Sequence, residues 1–326
     1  MPHFWSHRTL ISYLLWPLSV VYMALRFLHR RVRLATQYWP AVPVISVGNI
    51  TVGGGGKTPV VAWLARHFSE KKLPVAIVLR GYGGAMRDPY QLRGDETAAT
   101  VGDEALMLWR QLHPLPVSIW VGRNRTAVVK RAEQAGAELI ILDDGFQRDD
   151  IARAVDIVCI DGGTSTTFGN GFCLPAGPLR EPISALKRAN FALLFNAPAG
   201  NNTWLRVPAY RLRTHVETAA LKPFLRQKVV AFAGIARPSK FFASLAAAGV
   251  ELAEAVSYPD HHVYTLQELA ELNAMSHHHN APLVTTEKDA ARLPTSQLGG
   301  FATALPLTID GDDMDNVLAE IEEFLR

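Results

Sequence analysis

The chain has 326 residues, 48% hydrophobic and 19% charged, a composition that excludes disorder and leaves enough apolar material for two cores. Lys and Arg outnumber Asp and Glu by 33 to 30, a small excess whose meaning depends on where the positive residues sit; no nucleic-acid partner is expected. Two cysteines, Cys159 and Cys173, lack CxxC spacing and are too few for a disulfide framework, which argues against a secreted scaffold and a structural zinc site and for a reducing compartment.

Residues 9–25 carry no charge and include Tyr13, Trp16 and Tyr22; Arg26, His29, Arg30, Arg31 and Arg33 follow. The pattern predicts an apolar helix with a basic end. It is near the short limit for crossing a bilayer and is interrupted by Pro17, so crossing and lying in one leaflet both stay open. The basic end would attract anionic headgroups. A secretory signal would carry its charge before the apolar run and a small-residue cleavage site after it, and this segment has neither. The competing reading is a buried helix of the first domain, against which four arginines at one end count.

Beyond Pro40 and Pro43 the apolar run 44–47 reads as a strand, the glycines at 53–56 as a loop and 58–68 as a helix. Further short apolar runs at 75–79, 139–142, 157–160 and 191–195 alternate with helix-length segments such as 104–112 and 126–135. Alternation of this kind implies an α/β fold with a parallel sheet covered on both faces. Residues 205–222 alternate and are polar, which suggests a connector. The pattern then restarts with a strand at 229–233, a helix at 239–248 and a strand at 282–285. The expected organisation is a membrane-associated helix over 1–35, a phosphate-loop domain over 36–204, the connector, and a smaller α/β domain over 223–326 that closes a cleft. His277, His278 and His279 read as the polar end of a helix, not as a tag or metal site.

The strongest chemical signal is Gly53, Gly54, Gly55, Gly56, Lys57 and Thr58 between a predicted strand and a predicted helix. Glycines let backbone N–H groups close on phosphate oxygens, the helix start adds positive potential, Lys57 reaches the outer phosphates and the Thr58 hydroxyl can hold magnesium. Pro59 is tolerated in a first helical turn. The general consensus has glycine where this chain has Thr51, so a glycine-rich turn without nucleotide is the competing reading. Residues 139–142 end in Asp143 and Asp144, an apolar strand closing on two hard oxygen ligands suited to magnesium; the competing reading is that one of them merely opens the turn at Gly145. Asp103 precedes a helical run and reads by itself as an N-cap. His261 and His262 stand just ahead of a capping box at Thr265 and Glu268, where an exposed loop histidine is a more common finding than a general base. Arg80, Arg123, Arg125 and Arg180 lie in glycine- or proline-rich segments and suit an anionic substrate or simple solvation.

Taken in order, these motifs resemble the tetraacyldisaccharide 4'-kinases over nearly the whole chain. The resemblance rests on the apolar, basic N-terminus, SVGNITVGGGGKTP at 46–59, RGYGG at 80–84, GDE at 102–104, GRNR at 122–125, DDGFQ at 143–147, PAGPLRE at 175–181, DHH at 260–262 and TTEKD at 285–289. Thr51 fits that family's form of the loop. The resemblance implies ATP and Mg2+ as cofactors and transfer of the γ-phosphate to the 4'-hydroxyl of an acylated disaccharide 1-phosphate in lipid A biosynthesis. It further implies work as a monomer at a membrane surface, the cytoplasmic face of the inner membrane, with peripheral or monotopic attachment. By the same likeness Asp103 and His261 would activate the hydroxyl, with His262 as the alternative histidine, and Lys57 would neutralise the transferring group. Thr58, Asp143 and Asp144 would hold the metal, with Glu104 helping through water, and Tyr82, Arg123 and Arg180 would meet the headgroup.

Rival functions leave recognisable traces. A GTPase would need an Asn or Thr, Lys, any residue, Asp motif, and Thr286, Glu287, Lys288, Asp289 has the wrong spacing. A membrane-positioned assembly ATPase of the deviant Walker type would need a lysine where this chain has Val52. A nucleotide-binding scaffold would release no ADP with any lipid acceptor.

Overall fold

The structure, a computed structural model, describes residues 2–53, 55–162, 167–198, 205–294 and 300–326. In chain order α1 (Leu10–Ala35) leads to β1 (Val44–Gly48), α2 (Lys57–Glu70), β2 (Val75–Leu79), β3 (Tyr90–Gln91), α3 (Ala98–Val101), α4 (Asp103–Leu112), β4 (Val117–Val121), α5 (Arg125–Gln134), β5 (Leu139–Asp143), β6 (Val155–Asp161), β7 (Phe191–Phe195) and β8 (Ala209–Val216). There follow α6 (Thr218–Leu221), β9 (Lys228–Ala233), α7 (Pro238–Ala247), β10 (Glu251–Ser257), α8 (Leu266–His279), β11 (Leu283–Thr286), α9 (Glu287–Arg292), β12 (Thr303–Leu305), β13 (Leu307–Asp310) and α10 (Met314–Phe324).

Among the described residues the strands form two sheets. The larger runs β13-β8-β7-β6-β1-β5-β2-β4-β3. It is parallel from β8 through β4, with β13 and β3 antiparallel at its edges. Every residue of β1, β2 and β5 is buried, which explains why these strands read as unbroken apolar runs rather than alternating ones. Val60, Val61 and Leu64 of α2 pack with Ile45, Ile77 and Ile141 on one face, and Val128, Val129 and Ala132 of α5 with Val78, Ile140 and Leu142 on the other. Val47 pairs in register with Asp143, so the chain leaving β1 and the carboxylates ending β5 emerge side by side at the carboxyl edge of the sheet, where open α/β sheets hold ligands.

The smaller sheet, β10-β9-β11-β12, is wholly parallel. The stretch expected as a connector instead carries β8, paired with β7 on one side and β13 on the other. Residues 307–326, expected in the smaller lobe, return to the larger one. Ile309, Val317 and Ile321 join its core, and Glu322 of α10 meets His67 at 3.0 Å and Lys71, both at the end of α2 and just beyond it. The smaller lobe is therefore inserted between β8 and β13. The histidine run closes α8 as expected, ahead of Asn280 in the left-handed conformation.

Helix α1 is long and apolar enough by length and composition to cross a membrane, and it is amphipathic in an inverted sense. A surface helix normally buries its apolar stripe; here Leu10, Leu14, Leu18, Val21, Leu25, Leu28 and Val32 point away from the body and are exposed. Ser12 and Ser19 are the buried residues. The arginines expected to await headgroups are largely engaged with protein carboxylates: Arg26 with Glu181 at 3.1 Å, Arg30 with Asp149 at 3.1 Å and Arg33 with Asp150 at 3.3 Å. The physical reason is burial, since Asp149 and Glu181 are 1% and 4% exposed and a carboxylate so placed needs a paired, hydrogen-bonded cation.

Candidate active site

The chain leaves β1 at Gly48, where a Cβ would lie 2.4 Å from that of Phe146. Asn49 Nδ2 then donates to the Gly53 carbonyl at 3.2 Å. Gly56 caps α2 with φ at 74°, a conformation costly for any side chain. Gly53 also has positive φ, at 101°, Gly55 is buried, and Gly54 lies outside the described residues. Lys57, Thr58 and Pro59 form the first turn of α2, whose free N–H groups make an anion-binding end. The loop is also braced in a way the sequence did not disclose. Thr51 bridges Leu179, Val52 N donates to the Pro178 carbonyl at 2.8 Å, and Arg180 N donates to the Ile50 carbonyl at 2.7 Å.

The two aspartates behave differently. Asp143 is buried, and its Oδ1 has no hydrogen-bond partner. Burial, and then the Glu104 carboxylate, push its pKa upward. Asp144 turns outward with φ at 53° and meets Arg180 at 2.7 Å and Lys57 at 3.3 Å. Burial would raise its pKa, but Lys57 and Arg180 outweigh that and hold it at about 2. Arg180, expected at a headgroup, is thus bound to Asp144. Arg125, expected to meet an anionic substrate or solvent, is instead buried and donates to the carbonyls of Val78 at 2.6 Å and Asp143 at 3.0 Å. It ties the ends of β2 and β5 together, and burial lowers its pKa to about 10.

Asp103 and His261 meet across the cleft. Gly102, not Asp103, caps α4, with φ at 91° and no room for a side chain beside the Tyr82 carbonyl. Asp103 is buried in the first turn; its Oδ1 accepts from Glu104 N at 2.9 Å and its Oδ2 lies 2.8 Å from His261 Nδ1. Burial would raise the Asp103 pKa, but the His261 hydrogen bond and the charge of Lys288 outweigh it and the net shift is downward. The same hydrogen bond raises His261. Tyr82, well exposed, lies over His261 with ring centroids 5.1 Å apart. His262 is engaged elsewhere, bonded to Glu268 at 2.9 Å and stacked on Tyr258, which leaves His261 as the histidine that meets Asp103. Arg123 is exposed, and among the described residues its side chain has no ion pair or hydrogen bond; no contact brings it to the others.

A supporting network in the smaller lobe holds His261. Asp289, fully buried, accepts from Gly234 N at 2.8 Å, Tyr264 OH at 2.6 Å and Arg292 at 2.7 Å. Gly234 in turn accepts from His261 N at 3.0 Å, and Arg292 stands 3.6 Å from Asp103. Lys288 reaches across to Glu104. The TTEKD run signalled these residues in the sequence without revealing their partners; Tyr264 and Arg292 carried no signal.

A family model described as tetraacyldisaccharide-1-P 4'-kinase matches residues 11–325. The chain belongs to that family. A tetraacyldisaccharide 4'-kinase of Paramagnetospirillum magneticum is 42% identical over 95% of this chain and 94% of its own length. One from Legionella pneumophila is 37% identical over 90% and 83%. Among solved structures, LpxK of Aquifex aeolicus, crystallised in complex with ATP, covers 97% of this chain and 100% of its own with a TM-score of 0.76 at 24% identity. That likeness supports the α/β fold expected of the family.

Proposed function

We propose that this chain is a tetraacyldisaccharide 4'-kinase, moving the γ-phosphate of ATP to the 4'-hydroxyl of an acylated disaccharide 1-phosphate in lipid A biosynthesis. The observation that carries the reading is the Asp103–His261 pair, joined across the cleft at 2.8 Å beside Glu104, whose charge acts on Asp143 at the phosphate-loop edge. With Nδ1 on Asp103, His261 Nε2, 4.0 Å from the Asp260 carboxylate, is the basic atom left for the hydroxyl proton. Lys57, here shared with Asp144, is the ammonium for the outer phosphates. Positioning and charge supply most of the catalysis in phosphoryl transfer, which suits groups held from two lobes.

Magnesium fits the residues present. Among the described residues no cluster of three or more His, Cys, Asp or Glu forms a protein cage, but Mg2+ is typically held by one or two carboxylates together with substrate phosphates. The unpartnered, buried Asp143 Oδ1 is such a ligand in waiting; Asp143, Asp144 and Thr58 would hold the ion, with Glu104 behind them. When bound, it would neutralise charge on the β- and γ-phosphate oxygens.

The outward apolar face of α1 would lie in the cytoplasmic leaflet of the inner membrane, attached peripherally or monotopically, and meet the lipid acceptor there. Tyr82, against His261, and exposed Arg123 are the headgroup candidates. The deciding experiment supplies γ-labelled ATP and a tetraacyldisaccharide 1-phosphate in detergent micelles, with and without Mg2+. Labelled bisphosphorylated lipid that requires Mg2+ is expected; ATP binding with no labelled lipid overturns the substrate assignment.

A further inference from the structure

Residues 173–181 form a layer between α1 and the phosphate loop. The layer closes on itself, Leu174 N donating to the Leu179 carbonyl at 2.9 Å and Gly177 N to that of Cys173 at 3.0 Å. One flank braces the loop through the Thr51–Leu179 bridge and the bonds from Val52 to Pro178 and from Arg180 to Ile50. On the other flank, buried Ser19 of α1 donates to the Cys173 carbonyl at 2.8 Å and accepts from Ala176 N at 3.2 Å. Tyr22 OH donates to the Arg180 carbonyl at 2.9 Å. Arg180 is thereby fixed three ways: its N–H on the phosphate loop, its carbonyl on α1 and its guanidinium on Asp144, the partner of Lys57.

We infer that Ser19 and Tyr22 are positioning residues for nucleotide binding: α1 sets the phosphate loop through the 173–181 layer, independently of what its outer face does with lipid. A helix serving only as an anchor would need no polar contacts aimed at this layer, and buried hydroxyls are retained where they are satisfied by partners. The inference rests on the nucleotide reading of the phosphate loop.

The test titrates ATP against Ser19→Ala/Tyr22→Phe, with acceptor saturating in detergent micelles so that membrane delivery plays no part. The KM for ATP should rise ~5-fold or more, the factor expected for about one lost hydrogen bond, while the micellar acceptor KM and liposome flotation stay at parent values. A purely structural loss would instead lower active enzyme and kcat without moving the ATP KM. Lys57→Ala separates the two readings. Loss of ATP binding in Lys57→Ala with a parental ATP KM in the double variant overturns the inference alone, whereas parental ATP binding in Lys57→Ala overturns the phosphate-loop reading beneath it. Should the double variant not fold, hydrogen exchange on the unaltered protein decides. A non-hydrolysable ATP analogue should slow exchange at Leu174, Gly177 and Arg180; protection that stops at the phosphate loop overturns the inference.

Discussion

His261 adopts φ at 58°, a left-handed conformation that a non-glycine residue holds only when its surroundings fix it. Here its N–H is on Gly234 and its ring on Asp103, so geometry and chemistry are set by the same contacts. Asp103→Ala and His261→Ala should each lower kcat by ~10²–10⁴-fold, the range for a lost acid–base group. If the two act as a unit, as proposed, the double variant should be little worse than the more damaged single one. Losses that multiply would mean two separate roles. His262→Ala should cost far less turnover, since that ring is committed to Glu268; equal losses at the two histidines would return the assignment to either of them.

Helices α1 and α8 show how one element can carry a testable contact on each face. Leu14→Glu and Leu25→Glu on the outward stripe of α1 should abolish liposome flotation while leaving the thermal midpoint nearly unchanged, as exposed substitutions usually shift stability by less than ~0.5 kcal/mol. A large drop in midpoint would show that this stripe packs on protein. In α8, Glu268 closes a capping box with Thr265 and meets His262. The Thr265 backbone bond, first, and His262 hold its pKa down at about 2 from an ordinary 4.5. A depressed carboxylate contributes stability above its unfolded pKa and loses it as pH falls through the folded value. The midpoint gap between the parent and Glu268→Gln should therefore shrink between ~pH 5 and ~pH 2; a gap constant over that range would remove the charge from the cap. Legibility in the sequence followed the range of the interactions. The β1 loop, α2, the β5 carboxylates and this capping box are local patterns and were readable. The polar alternation of β8 becomes a strand only through neighbours at β7 and β13, and β13 has four residues, too few to show a period. Asp103 and His261 stand 158 residues apart and were joined only through family resemblance. The α1 arginines were read as basic, but their carboxylates at 149, 150 and 181 are brought in by the fold.

The whole molecule is two lobes joined by the packing of α9 on the larger lobe, whose core Ala291 enters, and by charge at the cleft. His261 reaches Asp103, Lys288 reaches Glu104 and Arg292 approaches Asp103. At another point Arg237 and Lys240 of the α7 entry meet Asp161 at the end of β6. The Asp161 group has half-exposed cations and is screened by salt, so it is the weaker link. Lys288 is more enclosed, and the carboxylates of Glu104, Asp103 and Asp143 raise its pKa against the opposing effect of burial, so it stays charged. Replacing it with methionine keeps most of the apolar side chain, one atom shorter, and removes the charge that balances Glu104. Losing one partner of a charge-assisted bond costs about 1.5–3 kcal/mol, which at the transition state is a ~10–100-fold fall in kcat. Closure can be read separately with spin labels on surface cysteines added to α5 and α8, because Cys159 and Cys173 are buried. If Lys288 clamps the lobes, Lys288→Met should broaden the interlobe distance distribution as turnover falls. A narrow distribution with reduced turnover would make Lys288 a participant in the chemistry itself. Parental turnover and parental distances together would leave closure to Asp103, His261 and the Asp161 contacts.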